Sequence, residues 1–431
     1  MARVGRSLLV IAAIAVLTGS LPSSVPASKP TGSSEPGVDG PARMLSRFRS
    51  AMRGDVTALM KAAPDGAASE AASTLLHNLR TISDEWRVEA PAITADSFAV
   101  TVRSQDLAYR VVGTVDTASG GLESIGAIPV AVDAPPGVLD VGYSIDEMTP
   151  HGCRQVTAGG PDIVPLASVA KVALLAALAE RVDAGEVSLD DAVEIEPRVR
   201  SLPSGTWQRL PDGTVRSVLE AARAAFLHSD NTAADLLLDV VGRERMDRSA
   251  EATGLSGGYE STSELFKLGW SDPSLADRIR GLTPAEQRSF LETVPLPSAA
   301  VVEGESIHDR SLGWRGRSAG VCEAWSTLMG TTLWGELAPE VGSIDFAAIG
   351  CRDVAFKAGR GPGISTLSGV LEAAGGDRLV VTVSVESAGS EDEVQVWSAA
   401  QALAEINRRG VITCADGRAR VDRSIEPIGG G

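Results

Sequence analysis

The chain has 431 residues, 44% of them hydrophobic and 22% charged, with a formal net charge of −17. That is too apolar for a disordered chain and long enough for two domains. The acidic charge is spread without a basic block, which argues against nucleic acid or an anionic membrane surface as a partner.

The first 27 residues read as an export signal. Arg3 and Arg6 precede an apolar run from Leu8 to Leu17, and Val25-Pro26-Ala27-Ser28 offers a cleavage site after Ala27. Ten apolar residues are too few to span a bilayer. Ser20 stands where a bacterial lipoprotein signal carries its lipidated cysteine, so the expectation is an exported protein with no lipid anchor and no membrane span. Residues 28–40 are rich in Ser, Pro and Gly and read as a flexible leader.

Residues 41–132 form a first unit of mixed pattern. Helical periodicity covers Ala42–Lys61 and Ala67–Leu79, and strand alternation covers Ser97–Arg103, Leu107–Asp116 and Leu122–Val130. Ala134-Pro135-Pro136-Gly137 marks a boundary, and residues 133–431 form the second unit. Val138–Ile145 alternates as a strand, with Cys153–Ala158 as a hairpin partner. An Ala-rich helix is expected over Ser168–Ala184, closed by Gly185. Strands at Val354–Lys357, Ile364–Ala373 and Arg378–Glu386 precede a last helix at Asp392–Asn407. Strands at both ends with helices between them give an α+β fold, one antiparallel sheet flanked by helices plus a helical region. Four cysteines allow two disulfides in one of three pairings, or four buried thiols. No CxxC or His-rich spacing points to a metal, and no cofactor is expected.

Only five of the 39 basic residues are lysines, and two of these fall in a recognisable constellation. Arg cannot be deprotonated in a protein, whereas a desolvated Lys can act as a base. Ser168-Val169-Ala170-Lys171 places a hydroxyl and an amine about one turn apart at a helix start, where the helix dipole favours charge on the serine oxygen. Alone, this pattern is equally a helix cap followed by a surface lysine. Ser229-Asp230-Asn231 follows, and then Lys357-Ala358-Gly359 at the end of a strand pattern. Together they match the SxxK, SDN and KTG signatures of class A β-lactamases and penicillin-binding proteins.

The chain therefore resembles the serine β-lactamase and penicillin-binding-protein superfamily. It resembles a narrower group as well: exported serine hydrolases in which a small, cone-like, nuclear-transport-factor-like (cyclase-like) domain precedes a β-lactamase-like domain. The clavulanic-acid-cluster protein of the β-lactamase fold belongs to that group. Ser261–Leu268 and Trp314–Leu328 support the likeness; the first domain matches by size and element order. The resemblance implies that Ser168 is acylated and that Lys171 accepts its proton. It implies that Ser229 relays protons to the leaving group and that Lys357 supplies positive potential. Asn231, Gly359 and Arg360 would bind substrate, and the Ser168 and Arg360 N–H groups would form the oxyanion hole. Asp230 is expected to brace its loop.

Two departures from the pattern stand out. Ala358 replaces the Thr that helps bind a substrate carboxylate, with Arg360 or Arg352 as compensating candidates. Class A enzymes carry a deacylating glutamate about 36 residues beyond the SDN serine. Glu264 lies 35 beyond, but Ser261-Thr262-Ser263-Glu264 reads as a capping box, so the base is expected to be missing. Gly316–Gly320 matches the GxSxG elbow, yet no histidine follows Ser318. His228 is expected to pack beside the site, His77 to be structural, and the tryptophans to line core or groove. The expected activity is slow β-lactamase or esterase-like hydrolysis of a small-molecule or peptide acyl substrate (β-lactam, ester or peptidoglycan stem). The alternatives are a D,D-peptidase or penicillin-binding protein, or a binding or regulatory module that does not turn over.

Overall fold

In the computed structural model the larger unit is built on a five-stranded antiparallel sheet whose strands lie in the order Asp353–Gly361, Ile364–Glu372, Arg378–Ser387, Val138–Thr149 and Gly152–Gly159. The structure describes residues 39–63, 72, 75–76, 87–104, 107–129, 138–202, 204–256, 259–304, 312–338, 351, 353–387, 399–415 and 418–422. The expected signal, the 134–137 boundary and the leader up to residue 38 lie outside these residues, as do most of the helix expected at Ala67–Leu79, His77, His308, Arg352 and Trp397.

Two helices, α1 (Asp39–Met52) and α2 (Thr57–Ala62), replace the single expected helix Ala42–Lys61. The break falls at Gly54, whose φ of 115° a helix does not permit. Four strands follow, β1 (Arg87–Ile93), β2 (Ser97–Ser104), β3 (Leu107–Val115) and β4 (Leu122–Pro129), in one antiparallel sheet ordered as in the chain. β1 was not expected because it contains Pro91. It sits at the sheet edge, and its register shifts between Glu89 and Ala92, where proline is tolerated. Met44, Phe48, Phe98, Val100 and Val111 close a core between α1 and this sheet.

The hairpin β5 (Val138–Thr149) and β6 (Gly152–Gly159) leads to β7 (Ile163–Pro165), a 3₁₀ turn (Ala167–Ala170) and helix α3 (Lys171–Asp183). The expected helix at Ser168 thus begins as a tighter turn, because Ala167 is held at a left-handed φ of 43°. Every residue of α3 from Lys171 to Ala179 is buried, as a helix apolar on all sides must be. Gly185, at φ 71°, ends it in a Schellman motif: Gly185 N–H bonds Val182 O and Glu186 N–H bonds Arg181 O.

The helical region contains a small hairpin, β8 (Ala192–Ile195) and β9 (Thr214–Ser217). Helices α4 (Val218–Leu227), α5 (Asn231–Val241) and α6 (Arg243–Ala252) follow, then the short β10 (Leu255–Ser256). Next come α7 (Thr262–Trp270), α8 (Leu275–Ile279), α9 (Pro284–Glu292) and α10 (Ala299–Gly304). The strand β11 (Arg315–Arg317) pairs with β7 and β10 and runs into α11 (Ser318–Met329) and α12 (Thr332–Leu337). β12 (Asp353–Gly361), β13 (Ile364–Glu372) and β14 (Arg378–Ser387) complete the main sheet. β13 and β14 keep close to their expected bounds, whereas β12 runs four residues past the expected end at Lys357, so Lys357-Ala358-Gly359 lies within the strand. They are followed by α13 (Ala399–Arg408) and a hairpin, β15 (Ile412–Ala415) with β16 (Arg418–Val421).

The sheet separates two cores. α11 packs on one face, with α3, α4 and α5 continuing the same hydrophobic cluster behind it and Trp325 fully buried within it, and α13 covers the other face through Leu403 and Ile406. All four cysteines are paired: Cys153–Cys322 ties β6 to α11, and Cys351–Cys414 ties the entry to β12 to the terminal hairpin. No helix among the described residues is long and apolar enough to cross a membrane.

Candidate active site

The turn that carries Ser168 is fastened from three sides. The Pro165 carbonyl accepts hydrogen bonds from Thr366 Oγ1 at 2.8 Å and Ser384 Oγ at 2.7 Å, both buried on the sheet. Leu166 N–H bonds the Trp314 carbonyl of the β11 lead-in at 2.8 Å. Gly359 presses against the turn itself: a Cβ there would lie 2.6 Å from Ser168 N and 2.8 Å from Leu166 O. Only glycine permits that approach of β12 to the Ser168 N–H.

Lys171 is fully buried, and its Nζ donates to the Ser229 carbonyl at 2.5 Å and to Asn231 Oδ1 at 2.6 Å. Burial drives its pKa well below the ordinary lysine value. The neighbouring Lys357 charge adds to that fall, and Asp230 and Asp235 partly offset it. A neutral amine has two N–H bonds and one lone pair. In its neutral form the Lys171 amine would give those two N–H bonds to the Ser229 carbonyl and Asn231 and keep the lone pair as an acceptor. The Lys171 backbone N–H bonds the Ser168 carbonyl, but among the described residues no side-chain hydrogen bond joins Ser168 Oγ to Lys171 Nζ, so the side-chain contact expected from one helix turn is not formed. Ser229 Oγ is a further 3.4 Å from Lys171 Nζ.

Ser229 sits at a left-handed φ of 53° between the two lysines, and its hydroxyl accepts from Lys357 Nζ at 3.0 Å. Lys357 also donates to Ala358 O at 3.2 Å, and burial pulls its pKa down to about 7. Asn231 Nδ2 donates to Leu202 O at 3.0 Å, which leaves the second Nδ2 hydrogen for a ligand. The Asp230 carboxylate accepts the N–H groups of Thr206 at 2.6 Å, Trp207 at 2.8 Å and Ala233 at 2.9 Å. It caps α5 and braces the 204–207 loop as expected. Gly205 packs directly on that carboxylate at φ 86° and has no room for a side chain. Ala358 and Arg360 are exposed on either side of buried Gly359, and the Arg360 guanidinium has no ion pair among the described residues.

The stretch around Glu264 is occupied by structural work. Ser261 Oγ accepts from Glu264 N at 3.1 Å, and the Glu264 carboxylate accepts from Ser261 N at 2.6 Å, completing the capping box. Both carboxylate oxygens also pair with Arg243, at 2.9 and 3.0 Å. Asp235, one turn after Asn231, takes the N–H groups of Thr262 at 2.7 Å and Ser263 at 2.9 Å. Sequence reasoning missed Glu260, whose pKa is raised to about 7, first by burial and then by Glu264. Its charged neighbours are Glu264, Arg243 and Asp247, none of which belongs to the Ser168 group.

His228 does not pack beside the site; it is exposed at the C-terminal cap of α4. Ser318 does follow a strand and open a helix, but it is buried, and Gly320 lies so close to the Thr253 carbonyl that its glycine is explained by packing. Trp270, Trp314, Trp325 and Trp334 are buried, and Trp325 and Trp334 stack edge-on against Phe226 and each other.

No curated protein matches the chain. Among solved structures it is similar to an ancestral class A β-lactamase at 20% identity, over 63% of this chain and 93% of that one, with a TM-score of 0.40. It is also similar to a β-lactamase from Sphaerobacter thermophilus (18% identity, 62% and 89% covered, TM-score 0.38). A third similar structure is a point mutant of PBP-A in an acyl-enzyme complex with penicillin G (17%, 63% and 91%, TM-score 0.39). A family model described as the β-lactamase enzyme family matches residues 151–295. About a third of the chain is thus similar to that family, and this is the segment that carries Ser168, Lys171, Ser229 and Asn231.

Proposed function

We propose that this chain is an exported serine acyl hydrolase that forms an ester on Ser168. Above all, this reading is supported by Lys171, a buried amine whose pKa is pushed well down by burial and which is held by the Ser229 carbonyl and Asn231 Oδ1. Ser168 Oγ attacks an acyl carbonyl while Lys171 Nζ takes its proton. The resulting oxyanion is held by the Ser168 and Arg360 N–H groups. Ser229, hydrogen-bonded to Lys357, hands its proton to the departing nitrogen or oxygen as the tetrahedral intermediate collapses to the ester, and takes back from Lys171 the proton that came from Ser168. The second Nδ2 hydrogen of Asn231 holds the substrate's amide oxygen, and Gly359 keeps the β12 edge open for an extended acyl chain. Lys357 and Arg360 favour an acyl substrate bearing a negative charge.

The substrate class is a β-lactam, a small ester or a peptidoglycan stem. Hydrolysis of the ester is slow, because the carboxylate nearest the usual sequence position, Glu264, is consumed by its cap and by Arg243. That same observation favours a second reading, a penicillin-binding protein or regulatory module that is acylated without turnover. Residues 41–132 act as a separate, nuclear-transport-factor-like domain, a reading supported by two helices followed by four antiparallel strands around their own core. Two disulfides fit an oxidising compartment.

Intact-mass spectrometry after mixing with a panel of β-lactams and activated esters tests the proposal. It predicts a mass gain of one acyl group that decays over many minutes. No covalent adduct with any member of the panel, and no hydrolysis of any, would overturn it.

A further inference from the structure

A second cleft, of about 510 Å³, opens between α3, α6 and α11. None of its lining residues belongs to the Ser168 group. Ala176 of α3 and Ala252 of α6 contribute small side chains, and the charged groups around them are Glu180, Arg245, Arg248 and Glu323. Its volume lies within the range of small-molecule sites.

Many arginines of the helical region are ion-paired. Arg181, Arg198, Arg200, Arg243, Arg278 and Arg288 each reach a carboxylate. Arg245, inside the cleft, is likewise held by Glu186 at 3.0 Å. Arg248 and Glu180 line the same cleft but pair neither with each other nor with any other charged group among the described residues. Glu323 accepts the Cys153 N–H at 2.8 Å and meets no cation among the described residues. Opposite charges held apart across one cavity are complementary to a ligand that carries both signs at its own two ends.

We propose that this cleft binds a zwitterion of the amino-acid or short-peptide class. The ligand carboxylate meets Arg248, the ammonium meets Glu180 and Glu323, and an alkyl side chain lies over Ala176 and Ala252. Bidentate capture of a carboxylate is what an arginine fork does well. This site stands independently of any role for Ser168.

Calorimetric titration and alanine-methyl NMR on the full-length chain carrying Ser168→Ala test the site with acylation removed. The probes are L-alanyl-L-alanine, its N-acetyl form, its C-terminal amide and free alanine. The dipeptide should bind and shift the Ala176 and Ala252 methyl signals, and blocking either terminus should weaken binding. Free alanine matching the dipeptide would place the ligand at the amino-acid end of the class. Arg248→Ala and Glu180→Ala, both at exposed positions, should each weaken the dipeptide by roughly three- to fivefold. Placed in the chain with its native Ser168, neither should change the rate of Ser168 acylation. Equal binding of all blocked and unblocked forms, binding indifferent to both substitutions, or no binding at all would overturn the proposal.

Discussion

Lys171 Nζ and Asn231 Oδ1 are 2.6 Å apart in a fully buried pocket, and burial pushes the amine's pKa well below the ordinary lysine value. Arginine in that place keeps its proton at any working pH. Lys171→Arg should therefore fold and yet acylate about 10²–10⁴-fold more slowly, the usual cost of losing a general base. Stopped-flow acylation with a chromogenic β-lactam reads the rate. A variant within a few-fold of the parent would leave Lys171 an electrostatic partner only.

Lys357 makes activity and stability diverge with pH. Its folded pKa of about 7 lies below the ordinary lysine value, so between the two the unfolded chain holds a proton that the folded chain has released. Below about pH 7 both states are charged and the full burial penalty applies; as pH rises above 7 the penalty is relieved and stability increases. Acylation by an anionic substrate should do the opposite and fall above about pH 7 as the cation is lost, whereas a neutral ester should be less affected. Lys357→Met should raise stability by about 0.5–2 kcal/mol and abolish acylation by anions, which chemical denaturation and labelling would check together.

Much of this site was legible because the three motifs are short and local. Each needs a Ser, Lys or Asn at a fixed place on a turn or strand edge, and Ser229, Asn231 and Lys357 do lie around the buried Lys171 amine, whereas the Ser168 side chain is not hydrogen-bonded to it. What holds the turn in place was not legible. Thr366 and Ser384 look like ordinary strand residues, and only the sheet register brings both hydroxyls onto Pro165 O. β1 was hidden by its proline, and the pairing of the four cysteines follows from the fold rather than from spacing. His228 was expected to pack beside the site because its sequence neighbour is Ser229. The left-handed turn at Ser229 instead leaves the imidazole in solvent.

The clamp on Pro165 gives its own prediction. Thr366→Val with Ser384→Ala removes both donors and leaves a buried carbonyl unsatisfied, at about 1–3 kcal/mol. The variant should stay folded, lose acylation rate severalfold, and keep its affinity for substrate, since neither hydroxyl belongs to the proposed binding groups. An unchanged acylation rate in a destabilised protein would make the clamp purely structural.

Glu264→Gln separates a cap from a catalyst. The substitution keeps a side-chain oxygen for the Ser261 N–H but loses the paired charge with Arg243, so stability should fall by about 1 kcal/mol. The rate at which the acyl group leaves should barely change, as a burst experiment would show. Loss of deacylation in this variant would identify Glu264 as the base.

The most direct measurement is peptide mapping of the adduct formed with a fluorescent penicillin, on the parent chain and on Ser168→Ala. A single modified peptide containing Ser168, absent from a folded Ser168→Ala protein, is the predicted result. Label that persists in Ser168→Ala, or that maps to Ser318 or to any residue outside the 3₁₀ turn, would contradict the assignment of the nucleophile.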